Sequence, residues 1–211
     1  GVTKAVSDVT GLKRNTPVVV AGPDTQCGLL AMGVVERGSV GIVTGWSVTA
    51  QGITYSPQPD AAKRTWLGRH IVPGRWITEA NAGDGGNAYR WLRDLVFGTA
   101  DDAYQAMERM ANNVAPGSEG LLALLGPAPL DLSHPSLRPG GFIFPVPTTF
   151  SKYGQGHLAR GALENIAYAV RGSCSGLEEM TDSAINNVSV CGGMTRTKLF
   201  NQILADVLGR P

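Results

Sequence analysis

The sequence predicts an α/β fold, and three stretches carry that expectation. Thr16–Ala21 (TPVVVA) is a continuous apolar, β-branched run of strand length, then a Gly22-Pro23-Asp24 break leads into the helix-length segment Thr25–Val34. Ser39–Val43 and Ser47–Tyr55 are β-rich runs on either side of Gly45-Trp46, the pattern of a hairpin with glycine at its turn. Val188–Val190 reads as a short strand running through Gly192-Gly193 into a helix.

The remaining elements follow in chain order. Lys13, Arg14 and Asn15 form a polar turn before the first apolar run, and Pro57–Pro73 reads as a polar connection. In Asn87–Val96, Tyr89, Leu92 and Val96 keep helical spacing, and Asp101–Val114 continues as a second helix with two carboxylates at its positive end. The stretch Pro127–Pro147 is read as loop and short edge strand, because Pro127, Pro129, Pro135, Pro139, Pro145 and Pro147 each remove a backbone donor. His157–Arg171 is a helix, since Leu158, Ala162, Ile166 and Val170 recur every four residues. Leu199, Phe200, Ile203, Leu204, Val207 and Leu208 form the apolar face of a last helix, with Gly209 and Pro211 as stop signals.

Composition narrows the classes of function. A length of 211 residues allows one large domain or a domain and a half. Eighteen Lys and Arg against 17 Asp and Glu leave a net charge of +1, with no basic surplus for a phosphate backbone, so no nucleic-acid partner is expected. No stretch approaches the roughly 20 apolar residues that cross a bilayer, so no membrane role is expected either. Cys27, Cys174 and Cys191 are odd in number and lack a CxxC pair, which argues against a disulfide framework or zinc site and for a reducing cytoplasm. The first residues hold no basic segment followed by an apolar one, so no secretion signal is expected, and the start reads as an interior cut. The 28 glycines are about twice the usual share and imply tight turns or backbone brought close to a ligand.

Three places could carry chemistry, each with a plain structural alternative. Asp24 follows an apolar run and precedes a helix, where open α/β sheets place ligands; it is a candidate general base or a helix N-cap. Gly45-Trp46-Ser47 could offer backbone N–H groups and a hydroxyl to a phosphate, or be a bare hairpin turn. Gly192-Gly193 before a helix could seat a nucleotide against free N–H groups, or be an ordinary strand–helix turn. Trp66, Trp76 and Trp91, with Tyr89 and Arg90, could stack on a sugar ring, though core packing is the simpler reading. Asn81, Asp84 and Asn87 read as a turn and helix cap, Arg160 and Glu164 as an exposed i,i+4 pair, and His70, His134 and His157 as surface or capping residues.

Taken together, these places resemble one family. TGLKRNTPVVVAGPDTQ is similar to the segment of the FGGY carbohydrate kinases that reads roughly TGL-x-x-G-T-P-V-x-x-G-x-x-D-x-Q. VGIVTGWSVTA is similar to that family's second phosphate loop, and GHLARGALENIAYAVRG with VSVCGGMTRTKLFNQILADVLGRP resembles its long helix, adenosine motif and following helix. The centre, from about residue 57 to 150, matches loosely. The resemblance implies an actin-like ATPase architecture, a ribonuclease H-like mixed sheet flanked by helices, incomplete at both ends. Residues 1–36 would be the last strand and helix of an N-terminal sugar-binding domain, and 37–211 a truncated C-terminal ATP-binding domain.

The resemblance further implies ATP-dependent phosphorylation of a small sugar or polyol, with ATP and Mg2+ and no protein-built metal site. Asp24 would be the catalytic base, with Gln26 beside the substrate. Gly45 and Ser47 would flank the phosphates; Gly192, Gly193 and Met194 would line adenine and ribose, with Thr197 near the base. Trp46 stands where the family mostly has Thr, and Leu125-Gly126-Pro127-Ala128-Pro129 replaces the usual Gly-Glu-Arg loop. The chain alone is expected to be inactive. An actin-like nucleotide-binding module without kinase activity stays open as the alternative, and so does dimerisation through Val18–Val20.

Overall fold

The expected hairpin forms the centre of the main sheet. The computed structural model describes residues 1–132, 139–145 and 152–210. Strands β1 (Ser39–Thr44) and β2 (Val48–Thr54) pair antiparallel, with Val40 opposite Gly52 and Thr44 opposite Val48. β2 then pairs antiparallel with β4 (Trp76–Asn81), which takes β3 (Thr65–Arg69) on its outer side. On the other flank β1 pairs in parallel with β7 (Asn187–Gly192), so the order is β3-β4-β2-β1-β7. A second, two-stranded sheet joins β5 (Leu122–Leu124) to β6 (Gly141–Ile143).

Helices cover both faces of the sheet, and the packing follows from strand alternation. Val40, Ile42, Val48, Ala50 and Ala80 point to one face, against Leu163, Ile166, Ala167 and Val170 of the 27-residue helix α5 (Gln155–Thr181). Helices α3 (Gly85–Val96), α4 (Ala103–Asn112) and α6 (Lys198–Leu208) add Leu92, Met107, Ala111, Phe200 and Leu204 to that core. Helix α2 (Asp24–Ala31) covers the other face, where Leu29, Val34, Ile53 and Ile77 form a second, smaller cluster. Leu29 fills a hole that only glycine leaves open, since a Cβ on Gly41 would lie 2.2 Å from its Cδ2. Full burial of such a leucine contributes roughly 1.5–3 kcal/mol. With both faces covered, every residue of β2 is buried.

Several sequence expectations need correction. The run 16–23 is not a buried strand: it has no regular structure, and Val18, Val19 and Val20 are 67%, 84% and 100% exposed. Its apolar pattern suits a strand, but among the described residues no neighbouring strand offers it a hydrogen-bond ladder. A short helix, α1 (Lys4–Thr10), precedes it and was not foreseen; Thr3 caps its start and Gly11, at φ 73°, ends it. The polar connection of residues 57–73 contains the edge strand β3, whose period-2 signal is blunted by Gly68 and by arginines at 64 and 69.

Helix α5 outruns the expected His157–Arg171 by ten residues at its C-terminal end, through Gly172 and Gly176, which each weaken a helix by about 1 kcal/mol relative to Ala. Gly172 is required there, because a Cβ would meet Pro129 Cγ at 2.6 Å. Arg160 and Glu164 are not an exposed pair; they are 7% and 5% exposed. The Glu164 carboxylate accepts from Arg160 Nε at 2.8 Å, Gly117 N at 2.9 Å and the Ser118 hydroxyl at 3.2 Å. The turn at Gly117–Gly120, which holds Ser118 and Glu119 at positive φ, lies across that face of α5.

Of the histidines, His157 accepts from Gly154 N at 3.2 Å as a cap of α5, while His70 is buried and its Nδ1 accepts from Val72 N. His134, Pro135 and Pro147 lie outside the described residues.

Candidate functional site

The β1–β2 turn, the starts of α3 and α4 and the segment after β7 enclose a cavity of about 730 Å³. Gly45 N donates to the Ser47 carbonyl at 3.0 Å, closing the turn. The start of α3 is pressed against it: Asn87 N donates to the Trp46 carbonyl at 3.1 Å, and Val48 N to that of Gly83 at 2.9 Å. A Cβ on Gly86 would lie 2.0 Å from the Gly45 carbonyl oxygen, so backbone touches backbone and no side chain fits between. Trp46 projects its indole outward at the rim, 72% exposed.

Across the cavity, β7 ends at Gly192, whose φ of 107° and closeness to Thr44 admit no side chain; its Cβ would lie 2.3 Å from the Thr44 carbonyl oxygen. The Thr44 hydroxyl ties the two strand ends together, donating to the Cys191 carbonyl at 2.8 Å. The expected strand, double glycine and helix N-terminus is modified here. Gly193–Arg196 makes a 3-10 turn, and α6 begins only at Lys198. One of its first-turn N–H groups is already taken: Glu108 of α4 accepts from Leu199 N at 3.0 Å.

Of the residues expected at phosphates and adenosine, Gly45, Gly193, Met194 and Thr197 line this one cavity. Ser47 and Gly192 do not line it; they shape its walls from behind, as the turn closure and the strand end. The far wall was not foreseen. Arg90, Asp101, Tyr104, Gln105 and Glu108, from α3, α4 and the turn between them, complete it. The Tyr89 and Tyr104 rings stack with centroids 6.0 Å apart, and the Arg93 guanidinium lies 4.5 Å over Tyr104. Burial, with the nearby Glu108 charge, holds the Tyr89 phenol above its ordinary pKa, so it stays a neutral donor; its hydroxyl has no hydrogen-bond partner among the described residues. Arg90 and Arg196 bring cationic groups to a cavity whose other charges are Asp101 and Glu108.

The tryptophans do not form a core cluster. Trp66 and Trp91 are 45% and 53% exposed, and Trp76 lies under the Arg69 guanidinium at 4.5 Å. Core packing holds for Tyr89, which is 4% exposed. Asp84 occupies the N-cap position of α3 without a side-chain cap bond, and Asn81 Oδ1 accepts from Gly83 N at 2.7 Å, so these two form the expected turn.

Asp24 and Gln26 stand apart from the cavity. Asp24 is the exposed first residue of α2; the N-cap position itself belongs to Pro23, which gives no side-chain cap. Among the described residues Asp24 Oδ1 accepts only from the adjacent Thr25 N, at 2.8 Å, and the side chain is exposed. Gln26 reaches over β3, its Nε2 3.4 Å from where a Cβ on Gly68 would be. Glycine at 28 brings the helix down onto the sheet beside Cys191 and Val43. Thus α2 presents a carboxylate and an amide at one end of the sheet face opposite α5.

Comparisons with known proteins agree with this layout. The FGGY family of carbohydrate kinases, C-terminal domain, matches over residues 41–211. The chain is 31% identical over 198 residues to the YoaC protein of Bacillus subtilis (strain 168), covering 94% of this chain and 39% of that one. It is 28% identical to an autoinducer-2 kinase of Enterobacter sp. (strain 638), covering all of this chain and 41% of that one. The crystal structure of xylulose kinase from Rhodospirillum rubrum superposes with a TM-score of 0.79 at 27% identity, over 99% of this chain and 41% of that one. The chain therefore spans about two fifths of the length of the relatives it matches.

Proposed function

The chain belongs to the FGGY family of carbohydrate kinases, with the actin-like ATPase fold of that family's structures, and from that premise we propose that it supplies the ATP-holding part of an enzyme phosphorylating a hydroxyl of a small sugar or polyol. The observation that carries the reading is the single cavity shared by Gly45, Gly193, Met194 and Thr197, residues from opposite ends of the chain. In this reading residues 37–211 form the nucleotide domain, and residues 1–36 belong to the closing part of a sugar-binding domain. The protein works in a reducing cytoplasm, where Cys27, Cys174 and Cys191 are free thiols.

Phosphoryl transfer asks a protein chiefly for alignment and charge neutralisation. The turn at Gly45 flanks the phosphates, Arg90 and Arg196 offset their charge, and the α4 wall with Met194 encloses adenosine. Asp24 takes the proton from the attacking hydroxyl, with Gln26 orienting the acceptor. Among the described residues there is no group of three or more His, Cys, Asp or Glu side chains able to hold a metal ion. Magnesium arriving with the triphosphate would supply further neutralisation of phosphate charge.

The test is Asp24→Asn in the full-length kinase. Turnover with ATP and a panel of pentuloses and polyols should fall by about 10²–10⁴, the usual contribution of a positioned base, with ATP binding unchanged. Wild-type turnover in the variant would refute the base assignment. Sugar-independent ATP binding without phosphorylation by the wild type would instead favour a non-kinase module.

A further inference from the structure

Strand β4 places a carboxyl group where the alternation calls for hydrocarbon. Ile77 and Glu79 share a face, and Ile77 is 2% exposed in the cluster under α2. On that face the registers line up one row of side chains across the sheet. Trp66 of β3 lies opposite Glu79 of β4, Glu79 opposite Gln51 of β2, and Gln51 opposite Gly41 of β1. Leu29 of α2 closes the Gly41 end of the row. The start of α2 overhangs the other end: Gln26 stands above Gly68, two residues from Trp66, and the Asp24 carboxylate is close enough for its charge to act on Glu79.

The middle of the row is polar and incompletely satisfied. Gln51 is fully buried and donates its Nε2–H to Glu79 Oε2, while its Oε1 has no partner among the described residues. Thr49 lies two residues along the same strand face; it is 4% exposed and its hydroxyl is likewise unpartnered. A buried amide oxygen without a donor costs free energy unless something supplies one. Burial holds the Glu79 carboxyl above the usual carboxylate range, against the Gln51 hydrogen bond and with a smaller push from the Asp24 charge. Unlike Gln51, Glu79 keeps part of its surface open.

We propose that Glu79, held in place by the buried Gln51, is the hydroxyl-reading floor of the acceptor subsite, with Trp66 as its apolar wall. The inference rests on the kinase reading and deepens it. The part-exposed Glu79 carboxyl suits neighbouring hydroxyls of a polyhydroxylated acceptor, while Gln51 behind it fixes Oε2 through its Nε2–H. Trp66, 45% exposed and in register with Glu79, offers an indole surface to the C–H side of the same molecule. Asp24 then acts on a hydroxyl next to the one that Glu79 holds.

The experiment is steady-state kinetics of the full-length kinase with ATP and a panel of pentuloses, tetritols and glycerol. Glu79→Gln, which keeps the shape, should raise the acceptor KM about tenfold or more, as expected when a hydrogen bond to a substrate hydroxyl is lost. KM for ATP and Tm should stay at wild-type values. Trp66→Ala, at a position exposed enough to spare the fold, should raise the acceptor KM several-fold and leave ATP untouched. Acceptor KM at the wild-type value in both variants overturns the proposal alone. So does a loss of Tm and ATP affinity in step with the acceptor KM in Glu79→Gln, which would mark Glu79 as a purely structural partner of Gln51. A wild type that phosphorylates none of the panel overturns the kinase reading and this inference together.

Discussion

The cavity proposed for the nucleotide and the Asp24 end of the molecule are built in opposite ways. The cavity is bounded by the ends of sheet strands, by the segment after β7 and by two helices, α3 and α4, rooted in the main core, and its turn is bonded to a helix start. Asp24 rides on an eight-residue helix attached to a small second cluster, behind a run of exposed valines. The first site is rigid because its walls cannot move without breaking the core. The second depends on one helix seated on one sheet face, and its geometry is set by few contacts. In the proposed reading, groups on rigid elements suit the alignment of a nucleotide, while a lightly attached helix leaves the proposed base at Asp24 room to adjust.

Three substitutions sharpen that contrast, in descending order of effect. Gly86→Val drives a side chain into the Gly45 backbone, 2.0 Å from where its Cβ would lie. It should destabilise by about 3 kcal/mol and lower ATP affinity at least tenfold, as read by chemical denaturation and calorimetric titration. A variant with wild-type ATP affinity would mean that the turn is not part of the nucleotide site. Gly41→Ala pushes on Leu29 Cδ2, a flexible side-chain end, at 2.2 Å. It should cost about 1–2 kcal/mol and loosen α2, seen as faster hydrogen exchange at residues 24–31 while α3–α6 keep their protection. Uniform loss of protection would show that the two regions unfold as one. Val20→Ser, at a fully exposed position, should shift stability of this chain by no more than about 0.5 kcal/mol. A larger loss would show that the valine run is covered in solution, and sedimentation would tell whether a second copy covers it.

What could be read from the sequence was set by periodicity. The β1–β2 hairpin, β7, α5 and α6 carry strong alternation or an unbroken apolar stripe, and each forms close to where the pattern puts it. Thr16–Ala21 carries the same kind of pattern and forms no strand, because strand formation is decided by a partner ladder that no local signal encodes. The α3–α4 wall was missed for the opposite reason. Tyr104 and Glu108 are an i,i+4 pair beside the buried stripe of Ala103, Met107 and Ala111, so polar groups at the edge of an apolar face resemble an ordinary solvated border. Glu79 had one legible signal, its shared parity with Ile77, which gains meaning only once both faces of the sheet are known to be covered. Gly45, Gly193, Met194 and Thr197 were found through family resemblance, since no spacing rule links residues some 150 positions apart.

The bonded turn at Gly45 has a thermodynamic consequence. Gly45 N, Asn87 N and Val48 N hold the Ser47, Trp46 and Gly83 carbonyls in place, and Ala82 N returns a bond to Val48. The directions of the turn's remaining backbone dipoles are therefore set during folding, not when a ligand arrives. Ordering such a loop on binding would otherwise consume affinity, and reorienting its dipoles during reaction would raise the barrier. Here that entropy is already surrendered in the native state, and a triphosphate bound as proposed would meet the turn as a fixed electrostatic template.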